Sequence, residues 1–169
     1  AAAGKGAGRT LTLVQVDADP LAWVFTRWGH AKRWRVEGEE AAQGRAAVAR
    51  VLAAGSREEV DGALRLGAWE DVTEPLWLVC VHGTRDERCG RCGPPVAQAL
   101  RAAGAKTGLG CSHVGGHRFA ANVLSYPSGE WFSMVKPEHA KDVVSAGAGL
   151  AATTRGDGFV RRGSVWRSS

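Results

Sequence analysis

The sequence predicts an α/β protein whose C-terminal half has a thioredoxin-like element order and is preceded by a smaller α/β N-terminal half. Three observations predict it. Short β-branched, apolar runs alternate with Ala-rich or proline-opened stretches of helical spacing. The texture changes near Pro75, where a nearly continuous apolar run begins. Beyond it the elements read β–loop–α–β–β–α. Hydrophobic residues make up 44% of the 169 residues, enough for a core without disulfide staples, and 23% charged residues argues against wholesale disorder. The expected divisions are a flexible tail at 1–9, an N-terminal α/β segment at 10–73 and the thioredoxin-like domain at 74–169.

Thr10–Val16 reads as a strand, since Leu11, Leu13, Val14 and Val16 are apolar, and Asp17–Pro20 is a turn signal. Leu21–Trp28 and Arg33–Val36 read as two more strands, with Gly29 and His30 in the turn between them. Gln43–Ala54 carries Val48, Val51 and Leu52 at helical spacing and stops at Gly55-Ser56. Ser56 then caps a second helix, with Glu58 and Glu59 in the first turn, where the helix dipole favours carboxylates. Leu76–Val81 suits a central strand buried on both faces. His82–Gly93 is expected as a loop, and Pro94-Pro95 as the opening of a helix over Val96–Ala103. Phe119–Tyr126 and Trp131–Val135 form a hairpin about Pro127–Gly129, and Pro137–Ser145 is a helix.

Composition narrows the function. The net charge is +5, but the basic residues are scattered and interleave with aromatics only at Lys32-Arg33-Trp34-Arg35. That pattern argues against nucleic-acid binding and leaves a mildly basic face that could steer an acidic redox partner. No apolar run reaches the ~18 residues needed to span a bilayer, and no signal peptide is visible. A soluble, cytoplasmic protein is expected. The opening Ala, Gly and Lys residues suggest a processed or truncated start.

The chemistry concentrates in two stretches. Cys80, Cys89, Cys92 and Cys111 fall within one window, a clustering that suits a metal or redox site better than a disulfide framework. One stretch runs from Cys80 through His82, Gly83, Arg85 and Asp86 to Cys89, Gly90 and Cys92. The other runs Cys111-Ser112-His113-Val114-Gly115-Gly116-His117-Arg118-Phe119. Thiolate sulfur suits iron, and imidazole is an acceptable substitute that carries no negative charge. Gly115 and Gly116 disfavour a helix between His113 and His117, so a loop is expected whose backbone can approach a cofactor closely. The residues alone do not choose two cysteines from four.

These stretches resemble the sucrase/ferredoxin-like family. Cys80-Val81-His82-Gly83-Thr84-Arg85-Asp86-Glu87-Arg88-Cys89 and Ser112-His113-Val114-Gly115-Gly116-His117-Arg118-Phe119-Ala120 carry the resemblance, continued by Ala121 to Gly129. It implies a thioredoxin-like ferredoxin with a [2Fe-2S] cluster held by Cys80, Cys89, His113 and His117, the cysteines on one iron and the histidines on the other. Cys92 and Cys111 are then non-ligands. The implied function is electron transfer with a redox partner protein, a reductase or an acceptor, which is more a ferredoxin-type carrier's role than a catalyst's and leaves open whether the chain is an enzyme.

Three other readings compete. Cys89-Gly90-Arg91-Cys92 has the placement of a thiol–disulfide oxidoreductase dithiol, its first thiolate stabilised by a helix N-terminus. A structural zinc site with two Cys and two His uses the same donors. A Rieske-like pairing would recruit His82, although a loop histidine bonded to backbone is the plainer reading. Asp86 is read as a turn residue or as a group orienting a histidine. Arg118 is read as bonding near the cofactor or pairing with a carboxylate. The tryptophans are read as core or anchor residues. His30 and His139 are read as histidines in polar settings.

Overall fold

The structure is a computed structural model that describes residues 21–26, 30–35, 40–105, 108–147 and 160–164. The expected tail at 1–9, the strand at Thr10–Val16 and the turn at Asp17–Pro20 lie outside these residues. The protein is α/β, with two sheets and four α-helices among the described residues. It divides into two compact units, 1–73 and 74–169.

In the first unit, β1 (Leu21–Phe25), β2 (Ala31–Arg35) and β3 (Glu70–Asp71) form an antiparallel sheet in that order, with α1 (Glu40–Ala53) and α2 (Arg57–Leu64) between β2 and β3. Ser56 caps α2, its hydroxyl accepting from the Glu59 N–H, with Glu58 and Glu59 in the first turn. Val24, Trp34, Val51, Val60 and Leu64 make the core, and Trp34 meets Trp69 edge-on at 4.5 Å between ring centroids. His30 is not an idle turn residue. Its Nδ1 lies 2.8 Å from the Thr26 hydroxyl and its Nε2 lies 2.6 Å from Asp61 of α2, so it ties the β1–β2 turn to that helix.

The second unit is a five-stranded sheet in the order β5-β4-β6-β7-β8, from β4 (Leu76–Cys80), β5 (Gly108–Cys111), β6 (Val123–Tyr126), β7 (Glu130–Ser133) and β8 (Val160–Ser164). β4 and β5 run parallel; the remaining pairs are antiparallel. All five residues of β4 are buried, as its apolar run requires of a strand covered on both faces. Trp77, Val79, Val96, Leu100, Val123, Phe132 and Val143 centre the core, drawing on the sheet, on α3 (Glu87–Ala102) and on α4 (Ala140–Gly147). His139 is buried just before α4, where its Nδ1 accepts from the Lys136 N–H, so the polar setting expected for it is corrected to a cap.

One element starts earlier than expected. The helix expected to open at Pro94 begins at Glu87, so much of the expected loop is helical. The reason is Asp86: its backbone is extended and its carboxylate accepts from the Arg88 N–H at 2.9 Å, an N-cap that outweighs proline as a start signal. Pro94 and Pro95 therefore lie inside α3. They leave the carbonyls of Gly90 and Arg91 without i+4 donors, a cost that the burial of Val96, Ala97 and Leu100 offsets.

Candidate metal centre

Three ligand atoms converge. Cys80 ends β4 and Cys89 lies in the first turns of α3, both fully buried. His113 follows β5 by two residues. The Cys80 and Cys89 sulfurs each lie 3.9 Å from His113 Nδ1, and all three atoms lie within 4.8 Å of one another. These separations bring the three donors within reach of a single bound metal group.

The sequence builds this convergence with glycine. A Cβ on Gly93 would stand 2.3 Å from the Cys80 carbonyl oxygen, and a Cβ on Gly90 would stand 2.6 Å from the Gly83 Cα. Helix α3 can therefore press its first turns directly on the end of β4 and the turn after it, which carries Cys89 to Cys80. Parallel register places Cys111 beside Cys80, equally buried. Cys92, one helical turn beyond Cys89, packs partly buried against the core.

His113 is held from behind. Its backbone N–H donates to His82 Nδ1 at 3.1 Å, which settles His82 as a supporting residue and fixes that ring's proton on Nε2. The glycine loop is held by Asn122, which is fully buried. Its amide N–H groups donate to the carbonyls of Gly115 and Gly116, and its Oδ1 accepts from Trp131 Nε1 and from the Ser133 hydroxyl at 2.7 Å. Gly115 and Gly116 have φ of +95° and +66°, which glycine adopts without strain. Asn122 was not singled out in the sequence. The available signal was an amide inside Ala121-Asn122-Val123-Leu124, since a buried amide in an apolar strand must satisfy four bonding positions.

His117 stands apart from the convergent three. It opens a 3₁₀ turn over His117–Phe119, its ring lies 5.7 Å from that of His113, and its Nε2 is 3.9 Å from Asp86. Both the cap of α3 and this histidine thus meet at Asp86. Arg118 is exposed and forms no ion pair among the described residues.

Electrostatics separate the donors. Burial first, then the hydrogen bond and charge of Cys80, push the Cys89 thiol up to about 12. Burial and the charges of Cys80 and Cys89 push Cys111 up as well. Burial, with His117 and Arg85 adding, holds His113 below the ordinary histidine range, so its imidazole is neutral and available to a cation. A thioredoxin-type dithiol needs the opposite of what Cys89 shows. Its first thiolate must be exposed and stabilised, so the Cys89/Cys92 oxidoreductase reading is corrected.

Comparison with known proteins adds the family. Residues 18–157 match the sucrase/ferredoxin-like family. Relatives named "Altered inheritance of mitochondria protein 32" are 40% identical over 86 residues in Meyerozyma guilliermondii, covering 44% of this chain and 30% of the relative, and 34% identical over 95 residues in Candida glabrata, covering 46% and 30%. The match spans less than a third of those relatives' length. No solved structure matches. These names correct the expectation of a free-standing one-electron carrier, and with it the structural-zinc alternative. They refer to mitochondrial inheritance and not to electron transfer, and the structure carries a Cys/Cys/His group capable of holding a metal. No helix among the described residues is long and apolar enough to cross a membrane.

Proposed function

The chain belongs to the sucrase/ferredoxin-like family, and from that premise we propose that its second unit is a metallocofactor-binding domain. Cys80, Cys89 and His113 are its anchoring ligands, His117 is the fourth donor, and the group held is a [2Fe-2S] cluster. The observation that carries the proposal is the approach of two buried thiols and one neutral imidazole to a common point. Paired thiolate and imidazole donors suit iron–sulfur ligation, and the Gly115–Gly116 loop has no side chain to obstruct an inorganic group.

A cluster supplies a redox-active centre when bound. The chain's own residues do the rest. Cys80 and Cys89 must give up their protons to ligate, and His113 ligates through Nδ1 without losing one. His82 and Asn122 fix the loop that carries the histidines. The strand order β5-β4-β6-β7, parallel in its first pair and joined by α3, supports a thioredoxin-like domain over 74–169. Beside the cytoplasm expected from the sequence, the relatives' name makes mitochondria a compartment in which to look for the protein.

Iron, sulfide and zinc analysis with a visible spectrum of freshly purified protein tests the proposal. The expected result is two irons and two sulfides per chain and absorbance in the visible. Stoichiometric zinc in a colourless protein would overturn the cluster and leave the ligand group standing.

A further inference from the structure

Beside the metal centre, the surface combines two exposed apolar side chains with three arginines. Phe119 is 42% and Met134 44% exposed, two of the few large hydrophobic residues that reach solvent among the described residues. They are neighbours: the Met134 N–H donates to the Phe119 carbonyl at 2.8 Å, and the Val135 N–H to the Ala121 carbonyl at 3.1 Å. Met134 holds this place at φ +59°, a left-handed conformation that is strained for a non-glycine residue. A glycine would sit there without that strain, so the side chain is presented against the preference of its backbone.

The rim is cationic. Arg118 precedes Phe119, and Arg85 and Arg88 flank Asp86, which faces His117 of the same 3₁₀ turn. Nearby carboxylates are already engaged. Asp86 caps α3, Glu87 lies 4.0 Å from Arg91, and Glu138 lies 3.7 Å from Lys136. Arg85, Arg88 and Arg118 are exposed and form no ion pairs among the described residues.

We propose that Arg85, Arg88, Arg118, Phe119 and Met134 form a docking surface for a protein partner that presents carboxylates around an apolar centre. Charge complementarity chooses this occupant: unpaired arginines on the turn that carries Phe119 and on the start of α3 that faces this turn call for carboxylates beside an apolar anchor. Methionine adapts to such an anchor, and arginine pairs with carboxylates in two-pronged fashion. The surface uses side chains outside the ligand group, and testing the full chain both metal-free and as purified separates its fate from that of the cofactor proposal.

The experiment is amide-resolved NMR titration with two synthetic peptides, one with Leu-Trp-Phe between Glu and Asp flanks and one with the same core between Gln flanks. Anionic phospholipid vesicles and duplex RNA serve as rival anions. The acidic peptide is expected to bind about tenfold or more tighter than the Gln peptide at low salt, with shifts centred on 85–88, 118–119 and 134. Met134→Gly, which keeps the backbone conformation, and the double variant Arg85→Glu/Arg118→Glu are each expected to lose about tenfold without a lowered melting temperature. Equal affinity for both peptides, no binding at millimolar peptide, or shifts centred elsewhere would overturn the docking surface. So would tighter binding of RNA or vesicles, or the same shifts arising from self-association.

Discussion

The backbone N–H of His113 donates to Nδ1 of His82 across 3.1 Å, so a residue outside the ligand group sets the position of one inside it. His82→Ala should weaken metal binding by about tenfold or more while leaving the fold intact, since supporting partners of ligand histidines contribute on that scale. His82→Asn, which keeps an acceptor, should recover part of it. Chelator competition followed by circular dichroism separates the two effects.

The four cysteines divide by position. Cys80→Ser and Cys89→Ser should each abolish metal retention, because each removes one of the three converging ligand atoms. Cys92→Ser should retain it with little change. Cys111→Ser should also retain it but melt earlier, because a hydroxyl buried beside β4 costs about 1–3 kcal/mol. Metal content and melting temperature of the four variants check the division. Loss of metal in Cys92→Ser with retention in Cys89→Ser would reverse the assignment.

The Cys89 thiol, raised from 9.0 to about 12, gives a pH signature with a definite sign. A raised thiol keeps its proton in the folded chain after the unfolded chain has lost it. Its contribution to the stability of the metal-free protein is therefore complete below about pH 9 and is lost as pH rises toward 12. Metal binding runs the other way. Cys89 must release its proton, so affinity should rise at least about tenfold per pH unit through neutrality. Thermal melts of metal-free protein across pH 8–11, with metal titrations across pH 6–8, read both limbs. Cys89→Ser should flatten the first.

Glycine contacts make a two-sided prediction. Gly93→Ala forces a Cβ against the Cys80 carbonyl oxygen, and Gly90→Ala one against Gly83. Each should cost about 1–3 kcal/mol and impair metal binding as α3 is pushed from β4. Gly62→Ala in α2 meets only the Arg65 side-chain tip at 3.9 Å and should gain up to about 1 kcal/mol. Urea unfolding with metal analysis of the three variants distinguishes packing at the site from a general intolerance of alanine.

Asn122→Ala leaves two carbonyls, an indole N–H and a hydroxyl to find new partners, and should cost on the order of 3 kcal/mol. Metal affinity should fall with it, because the loop between His113 and His117 loses its anchor. Calorimetry and metal titration of one preparation test both.

Much of this was legible in order along the chain. Leu76 to Cys80 announce a buried strand because no polar residue interrupts them, and the window holding Cys80, Cys89 and His113 announces a metal-capable group because few other uses gather those side chains. The start of α3 was misread because two prolines look like an opening, whereas the deciding contact, Asp86 to the Arg88 N–H, is a single hydrogen bond. The roles of His82 and Asn122 lie in contacts between segments far apart in sequence, which no local pattern encodes. The different standing of His113 and His117 is likewise tertiary: a symmetric His-x-x-x-His gives no hint that one ring faces the thiols and the other faces Asp86.

The burial of β4 has a consequence for lability. Cys80 closes a strand bonded on both sides, its N–H to the Asn122 carbonyl and that of Val81 to the Cys111 carbonyl, inside the sheet between β5 and β6. Amides there should exchange only when the whole unit opens, and those of the solvent-facing turn around His117, 47% exposed, through local fraying. With the proposed ligands, a bound group would be held at one end by a buried interior strand and at the other by an exposed turn. Its release should begin at the imidazole side, with the cysteines the last to let go.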